Sequence, residues 1–259
     1  MLLRNIPPTG YISPEAIVVG LAALPRLKFF SMEFQSASSR PDRIPPPPAT
    51  RTVLPSGIRL EFKCASEYLE GLVAQIDSPQ LEWICINYFN QLADFQAYQL
   101  SQFIDRSVGP QATLFKRATV SFSRREVSFT MSPHANHEGH VCITTICEGI
   151  DWQVSHMTHL LSQFSIALSN VVHLNVTNLS NLEGPLEGID DSEWRDLLHL
   201  FLTVKSLHVS RKLTEHISLA LEDTTEGMVL PSLDSIRLTG QPASTVKKLL
   251  ARRRLSSTL

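Results

Sequence analysis

The sequence predicts a mixed α/β fold: a right-handed solenoid with parallel strands on its concave side and helices outside. Two observations lead to this prediction. A short run with apolar residues at positions i, i+3 and i+5 recurs along the 259 residues, and segments of helical periodicity lie between these runs. Successive runs are about 23 to 34 residues apart, with one gap of about 56, and a parallel crossover needs about a dozen residues or more. The spacing therefore leaves room for a helix between successive strands.

Seven of these runs are predicted to be strands. Leu233, Ile236 and Leu238 show the pattern, and the final step of two places alternate residues on one face of an extended chain. The predicted strands lie within residues 24–34, 54–62, 79–87, 114–122, 170–176, 203–209 and 230–238.

The helices are predicted from capping residues and from apolar stripes. Ser13 is a candidate N-cap, followed by Pro14 in the first helical position and Glu15 in the first turn. Ser192 is a second candidate N-cap, before a helix that turns Trp194 inward. Further helices are predicted within residues 66–76, 92–104, 155–168, 192–201, 213–221 and 243–253.

Two segments interrupt the alternation of strands and helices. Residues 36–52 form a proline-rich loop, because Pro45–Pro48 favours polyproline II and is unsuited to a sheet. Residues 123–150 contain two alternating runs, 126–131 and 141–147, joined by a polar segment, and they predict an inserted β-hairpin. We interpret residues 1–259 as a single domain.

The glycine pattern decides between this solenoid and a doubly wound α/β domain with a phosphate site. The chain has only 11 glycines, and no predicted strand is followed by a glycine-rich turn. A G-x-S-x-G nucleophile elbow is also missing. We therefore predict a non-catalytic chain without a cofactor.

Charge and hydropathy restrict the partners and the compartment. The formal net charge of -2 gives no basic field for a nucleic acid. The most apolar early segment, residues 16–24, is about half the length needed to cross a bilayer, and it does not resemble a secretory signal. We expect a cytoplasmic protein with no membrane partner. A nuclear location is an alternative, because the basic segment 247–254 could serve as an import signal.

The cysteines and tryptophans are predicted to be core residues, because they lie within apolar patterns. The predicted reduced core thiols are Cys64, Cys85, Cys142 and Cys147. The predicted core tryptophans are Trp83, Trp152 and Trp194.

The alternating strand–helix pattern resembles the leucine-rich repeat horseshoe, and several stretches resemble the repeat region of F-box-like proteins abundant in mushroom-forming fungi. They include Ser-Pro-Glu-Ala at 13–16, Leu-Ala-Ala-Leu-Pro-Arg-Leu at 21–27, Ser-Glu-Tyr-Leu-Glu at 66–70, Val-Lys-Ser-Leu-His-Val-Ser at 204–210 and Val-Leu-Pro-Ser-Leu at 229–233. In that family, the repeats are expected to bind a partner protein, and an N-terminal F-box recruits a ubiquitin ligase through a Skp-type adaptor. Nothing near Met1 matches a Leu-Pro-x-Glu-Leu-Leu helix, so a Skp-type adaptor is expected only if an F-box lies upstream.

A histidine cluster supplies the alternative function. His134, His137 and His140 are spaced by three residues and Cys142 follows, so these side chains could supply four zinc ligands for a metal-dependent enzyme. Structural zinc sites usually draw ligands from two separate chain segments, and we therefore favour a histidine-rich hairpin tip that binds no metal. A third hypothesis is a truncated remnant without an independent function.

A cluster of three acidic residues also allows a functional and a structural interpretation. Asp190, Asp191 and Glu193 could bind a metal or exchange protons. We favour a structural role, because acidic residues stabilise the positive end of a helix dipole.

We predict that the chain binds a protein through the strand residues that lie between the core leucines. On a coil of parallel repeats these residues form the concave surface. The predicted binding residues are Lys28, Arg59, Glu61, Glu82, Lys205, His208, Asp234 and Arg237.

Overall fold

The structure is a computed structural model that describes residues 1–37, 48–89, 96–108, 115–133, 141–147, 150–179, 191–222 and 228–240. These residues confirm a mixed α/β protein with mostly parallel strands. The strands are β1 (Leu2–Ile6), β2 (Phe29–Phe34), β3 (Thr52–Val53), β4 (Arg59–Cys64), β5 (Ile76–Asp77), β6 (Trp83–Tyr88), β7 (Arg117–Phe122), β8 (Glu126–Ser132), β9 (Val141–Ile146), β10 (His173–Asn178), β11 (Ser206–Val209) and β12 (Ser235–Leu238). The helices are α1 (Pro14–Ala22), α2 (Ser66–Val73), α3 (Tyr98–Val108), α4 (Ile150–Ser162), α5 (Ser165–Leu168), α6 (Asp191–His199) and α7 (Thr214–Glu222).

The chain forms two compact units. Unit 1 consists of Met1–Thr113 and Glu138–Ile146, and unit 2 consists of Leu114–His137 and Cys147–Leu259. Strand β9 therefore belongs to unit 1, while the chain on either side of it belongs to unit 2.

In unit 1 the strands follow the order β1-β2-β4-β6-β9, and each neighbouring pair is parallel. A second, smaller parallel pair joins β3 to β5. The two sets share one offset: Arg59 aligns with Trp83, and Thr52 aligns with Ile76, both 24 residues apart. One stretch of chain thus repeats the path of the stretch before it.

In unit 2 the strands follow the order β8-β7-β10-β11-β12. Strand β8 is antiparallel to β7, and the other neighbouring pairs are parallel. Thr119 of β7 aligns with Asn175 of β10, which matches the gap of about 56 residues between the fourth and fifth predicted strands. Helices α4 and α5 precede β10, and α6 and α7 lie between the later strands.

A backbone hydrogen-bond pattern recurs where the chain enters these strands. A single carbonyl oxygen accepts bonds from two consecutive N–H groups at the start of the next strand. Lys28 O, for example, accepts from Ile58 N at 3.1 Å and from Arg59 N at 3.0 Å. The same arrangement recurs at the carbonyl oxygens of Ile58, Lys116, Val172 and Lys205. Each turn is thereby fixed to its equivalent in the neighbouring strand.

The strands bury one face and leave the other partly exposed. In β4, Leu60 and Phe62 are almost fully buried, while Glu61 and Lys63 between them are half-buried. Side chains alternate between the two faces of a strand, so this difference follows from the period of two in the sequence. The core lies between the buried strand faces and the apolar stripes of the helices.

The predicted helix starts have two outcomes. The Ser13 prediction is confirmed, because its hydroxyl accepts a hydrogen bond from Ala16 N at 3.3 Å and Pro14 begins α1. The Ser192 prediction is wrong, because α6 already begins at Asp191. Trp194 is fully buried, as predicted.

The two runs of the predicted hairpin are both strands, β8 and β9. Strand β8 pairs with β7, and β9 pairs with β6. Most of the proline-rich loop and the predicted helix at 243–253 lie outside the described residues. Within the described part of the chain, no helix has the length and apolar character to span a bilayer.

Candidate functional site

The candidate site of unit 1 is its strand face, which we define as the side chains of β2, β4, β6 and β9 that point away from the core. Parallel pairing in register brings these side chains into rows across the strands. The strand face consists of Phe29, Ser31, Glu33, Arg59, Glu61, Lys63, Trp83, Cys85, Asn87, Cys142, Thr144 and Ile146.

A stacked cation lies at one end of the strand face. The guanidinium carbon of Arg59 is 3.9 Å from the ring centroid of Trp83, its register partner. Arg59 Nη2 also lies 3.3 Å from Glu61 Oε1, and Arg4 Nη2 lies 3.9 Å from Glu61 Oε2. Trp83 and Glu61 thus contact the Arg59 side chain, which remains 47% exposed. It can therefore contact a partner without first losing much conformational freedom.

An ion pair lies on the opposite row of the same face. Lys63 Nζ lies 2.8 Å from Glu33 Oε1, and these two residues are register partners on β4 and β2. The Lys63 ammonium is also 5.9 Å from the centroid of the Phe89 ring. Both ends of the strand face thus combine a cation, a carboxylate and an aromatic ring.

Two thiols share the middle row. Cys85 on β6 aligns with Cys142 on β9. The neighbouring Cys142 thiol and partial burial raise the pKa of Cys85. The prediction of core thiols is confirmed for Cys64 and Cys147 and is wrong for this pair, which is half-buried. The reason is parity: Cys85 lies between Ile84 and Ile86, which face the core.

The strand face of unit 2, formed by the side chains of β7, β10, β11 and β12 that point away from the core, is more polar. Asn175 Nδ2 donates to Thr119 Oγ1 at 3.3 Å, and Ser121 Oγ lies 2.9 Å from Thr177 Oγ1. Burial, with a smaller effect of the nearby Arg117 charge, lowers the pKa of His173. The face carries hydrogen-bonding groups and lacks the charged and aromatic clusters of unit 1 among its described residues.

The predicted binding residues divide between the two units. Unit 1 contains Lys28, Arg59, Glu61 and Glu82, and unit 2 contains Lys205, His208, Asp234 and Arg237. Arg59, Glu61, His208 and Arg237 lie on the strand faces. The other four are exposed and directly precede a strand, at or beside the recurring turn.

The sequence prediction missed several members of the strand face, including Glu33, Lys63 and Trp83. Trp83 was predicted to lie in the core, yet it is only half-buried and stacks on Arg59. The prediction is also wrong for Trp152, which is 54% exposed on α4. For Trp83 the signal was available, because it lies one position before Ile84 and therefore on the opposite face.

The residues of the alternative, metal-dependent function are only partly described. His134, His137 and His140 lie outside the described residues, as does Asp190. Cys142 is described and faces Cys85. Within the described ranges, no group of three or more histidine, cysteine, aspartate and glutamate residues is placed to hold a metal ion.

The helices α4 and α6 of unit 2 form an open groove of about 300 Å³. Glu193, one of the predicted carboxylates, lines this groove with Asp196 and His159. The remaining lining residues are Ser155, Thr158 and Ser162. All six lining residues have polar side chains, whereas hydrophobic and aromatic side chains line most small-ligand pockets.

No protein-family model matches this chain. The comparisons with curated proteins and with solved structures also give no match.

Proposed function

We propose that this chain is a non-catalytic protein-binding scaffold, built as a solenoid of leucine-rich strand–helix repeats, whose strand faces bind a partner protein. The observation that carries the proposal is the cluster of Arg59, Glu61 and Trp83 on the open strand face of unit 1.

The recurring geometry supports the solenoid. The same 24-residue offset relates β4 to β6 and the short strand β3 to β5. Two different parts of the proposed repeat therefore recur at the same spacing. The turn in which one carbonyl oxygen accepts two N–H groups recurs in both units. Stacking of equivalent segments on their neighbours is the defining feature of repeat proteins.

The one-sided burial of the strands supports the same architecture over a doubly wound sheet. In a doubly wound fold, helices cover both faces, and the strands are continuously apolar. Here, residues of opposite parity such as Glu61 and Asn175 stay half-exposed. In a solenoid, that open face is the surface available to a partner.

The composition of the unit 1 strand face favours a protein as the partner. Tryptophan and arginine are enriched among the residues that contribute most to protein–protein binding. Arg59 and Trp83 are already in contact, so binding would order few additional side chains. The mixed charges of Arg59, Glu61, Lys63 and Glu33 suit a partner surface that also carries both signs.

The resemblance to F-box-like repeat regions suggests a more specific role. We propose that the partner is a protein selected for ubiquitination and that the strand face recognises it. A Skp-type adaptor would join the assembly through an F-box supplied with these repeats.

The test is affinity capture from native lysate with quantitative mass spectrometry. Two variants change the strand face, Arg59→Glu and Trp83→Ala. Two matched controls make the same changes elsewhere: Arg124→Glu in the exposed turn between β7 and β8, and Trp152→Ala on α4. Circular dichroism should first show that all four variants are folded.

We expect specific proteins to be captured by the unaltered chain and by both controls, and to be reduced at least tenfold with both strand-face variants. A loss of about 1.4 kcal/mol in binding free energy corresponds to such a tenfold change. Capture that survives both strand-face variants, or that is lost with Trp152→Ala, would contradict the proposal. Ubiquitin-ligase subunits among the captured proteins would support the more specific role.

A further inference from the structure

The row of Cys85 and Cys142 places two thiols together on a partly exposed surface. They are register partners on neighbouring parallel strands. The other two thiols, Cys64 and Cys147, are buried. Oxidants dissolved in water can therefore reach the first pair more easily than the second.

The spacing of the strands is close to the spacing that a disulfide needs. Neighbouring strands lie roughly 4.8 Å apart, and disulfide-linked Cα atoms lie about 4.4–6.8 Å apart. Linked Cβ atoms are closer, about 3.5–4.5 Å apart, so β6 and β9 would have to draw slightly together. A bond formed under such strain is reduced more readily than a relaxed structural disulfide.

We propose that Cys85 and Cys142 form a reversible disulfide that links β6 to β9, with hydrogen peroxide as the oxidant. The inference is independent of the proposed protein-binding function. It rests on the in-register pairing of the two thiols and on their partial exposure.

The reaction proceeds in two balanced steps. One cysteine, as its thiolate, attacks a peroxide oxygen, the O–O bond breaks, and a sulfenic acid and one water form after proton transfer. The sulfur of the second cysteine attacks the sulfenic sulfur, the S–S bond forms, and the S–O bond breaks to release a second water. The two thiols lose two protons and two electrons in total, and the peroxide is reduced to two water molecules.

The raised pKa of Cys85 affects the rate of this reaction. Because the thiolate is the reactive form, a raised pKa slows the attack of Cys85 on peroxide. We therefore expect oxidation over minutes to hours at millimolar peroxide, and not the rapid reaction of a dedicated peroxidase.

The experiment treats the full chain with hydrogen peroxide, blocks the remaining thiols with iodoacetamide and maps the peptides by mass spectrometry without reduction. We expect a peptide pair joined through Cys85 and Cys142, with the loss of two hydrogen atoms, while Cys64 and Cys147 remain available for alkylation after unfolding. Dithiothreitol should restore all four thiols.

The variant Cys85→Ser provides the second measurement. It should form no intramolecular disulfide, and Cys142 should instead accumulate a sulfenic acid that dimedone traps. The proposal is overturned if both thiols of the unaltered chain stay free after peroxide treatment, or if the disulfides formed involve Cys64, Cys147 or a second molecule.

Discussion

Glu70 shows how a single buried carboxylate can connect two helices. Its side chain on α2 accepts hydrogen bonds from Gln99 N at 2.7 Å and from Leu100 N at 2.9 Å, in the first turn of α3. Burial raises the pKa of Glu70 to about 7, and the two backbone hydrogen bonds offset part of this effect. The residue therefore has a structural role, because it satisfies N–H groups that the helix itself leaves unpaired.

The raised pKa predicts how stability depends on pH. Between about pH 4.5 and pH 7 the folded protein holds a proton on Glu70 that the unfolded chain has released. The free energy of unfolding should therefore fall by about 3 kcal/mol from this residue as pH rises through this range. Above about pH 7 the contribution should stay level.

The variant Glu70→Gln isolates this contribution, because glutamine does not titrate. Urea unfolding of both proteins from pH 5 to pH 8 gives the difference in their free energies of unfolding. We expect the unaltered protein to lose stability relative to the variant as pH rises. A difference that does not vary with pH would contradict the assigned pKa.

At the scale of the elements, a hydrogen bond joins the tight turn before β4 to the segment after β5. Ser78 Oγ donates a hydrogen bond to the Gly57 carbonyl oxygen at 2.7 Å, just after β5 and just before β4. A Cβ atom at Gly57 would lie 2.7 Å from Ser78 Oγ and 3.2 Å from Leu54 Cβ. A side chain at Gly57 would therefore displace Ser78 or Leu54.

Two glycine substitutions should have opposite effects on stability. Gly57→Ala should lower the free energy of unfolding by about 1–3 kcal/mol, because the added methyl group displaces Ser78 or Leu54. Gly20→Ala is the matched control: Gly20 lies in α1 with open space around it, and alanine should stabilise the helix by up to about 1 kcal/mol. Chemical denaturation measures both. Equal effects of the two substitutions would show that the turn tolerates a side chain.

At the scale of the whole molecule, the proposed solenoid predicts that a core substitution destabilises mainly the strands next to it. In a repeat stack, each repeat contacts mainly its neighbours. Phe62 on β4 is almost fully buried and packs edge-on against Phe30 of β2, with ring centroids 5.9 Å apart. Removing its ring should cost about 3–5 kcal/mol of stability.

Hydrogen exchange followed by mass spectrometry can locate the effect of Phe62→Ala. We expect faster exchange at the amides of β2, β4 and β6, with little change in β11 and β12. Leu207→Ala on β11 is the reciprocal control and should accelerate exchange in β10 to β12. Uniform acceleration along the chain in either variant would indicate one cooperative core and contradict the repeat architecture.

The sequence alone predicts most of the strands and helices, because periods of two and of about 3.6 residues are local properties. Parity also places Trp83 and Cys85 on the open face, because they lie on either side of Ile84, which faces the core. The start of α6 was less predictable, because Asp191, the residue before Ser192, already lies inside the helix.

The alternation of strands and helices and the apolar core faces were determined by the sequence itself, through the spacing of residues such as Leu60 and Phe62. Which strands become neighbours was decided only by the tertiary structure. Strand β6 pairs with β9, so that Ile84 meets Val141 across 57 residues of chain. Such pairing depends on contacts between distant segments, which no local period encodes. The same long-range pairing brings Cys85 to Cys142 and assembles the strand face on which both proposals rest.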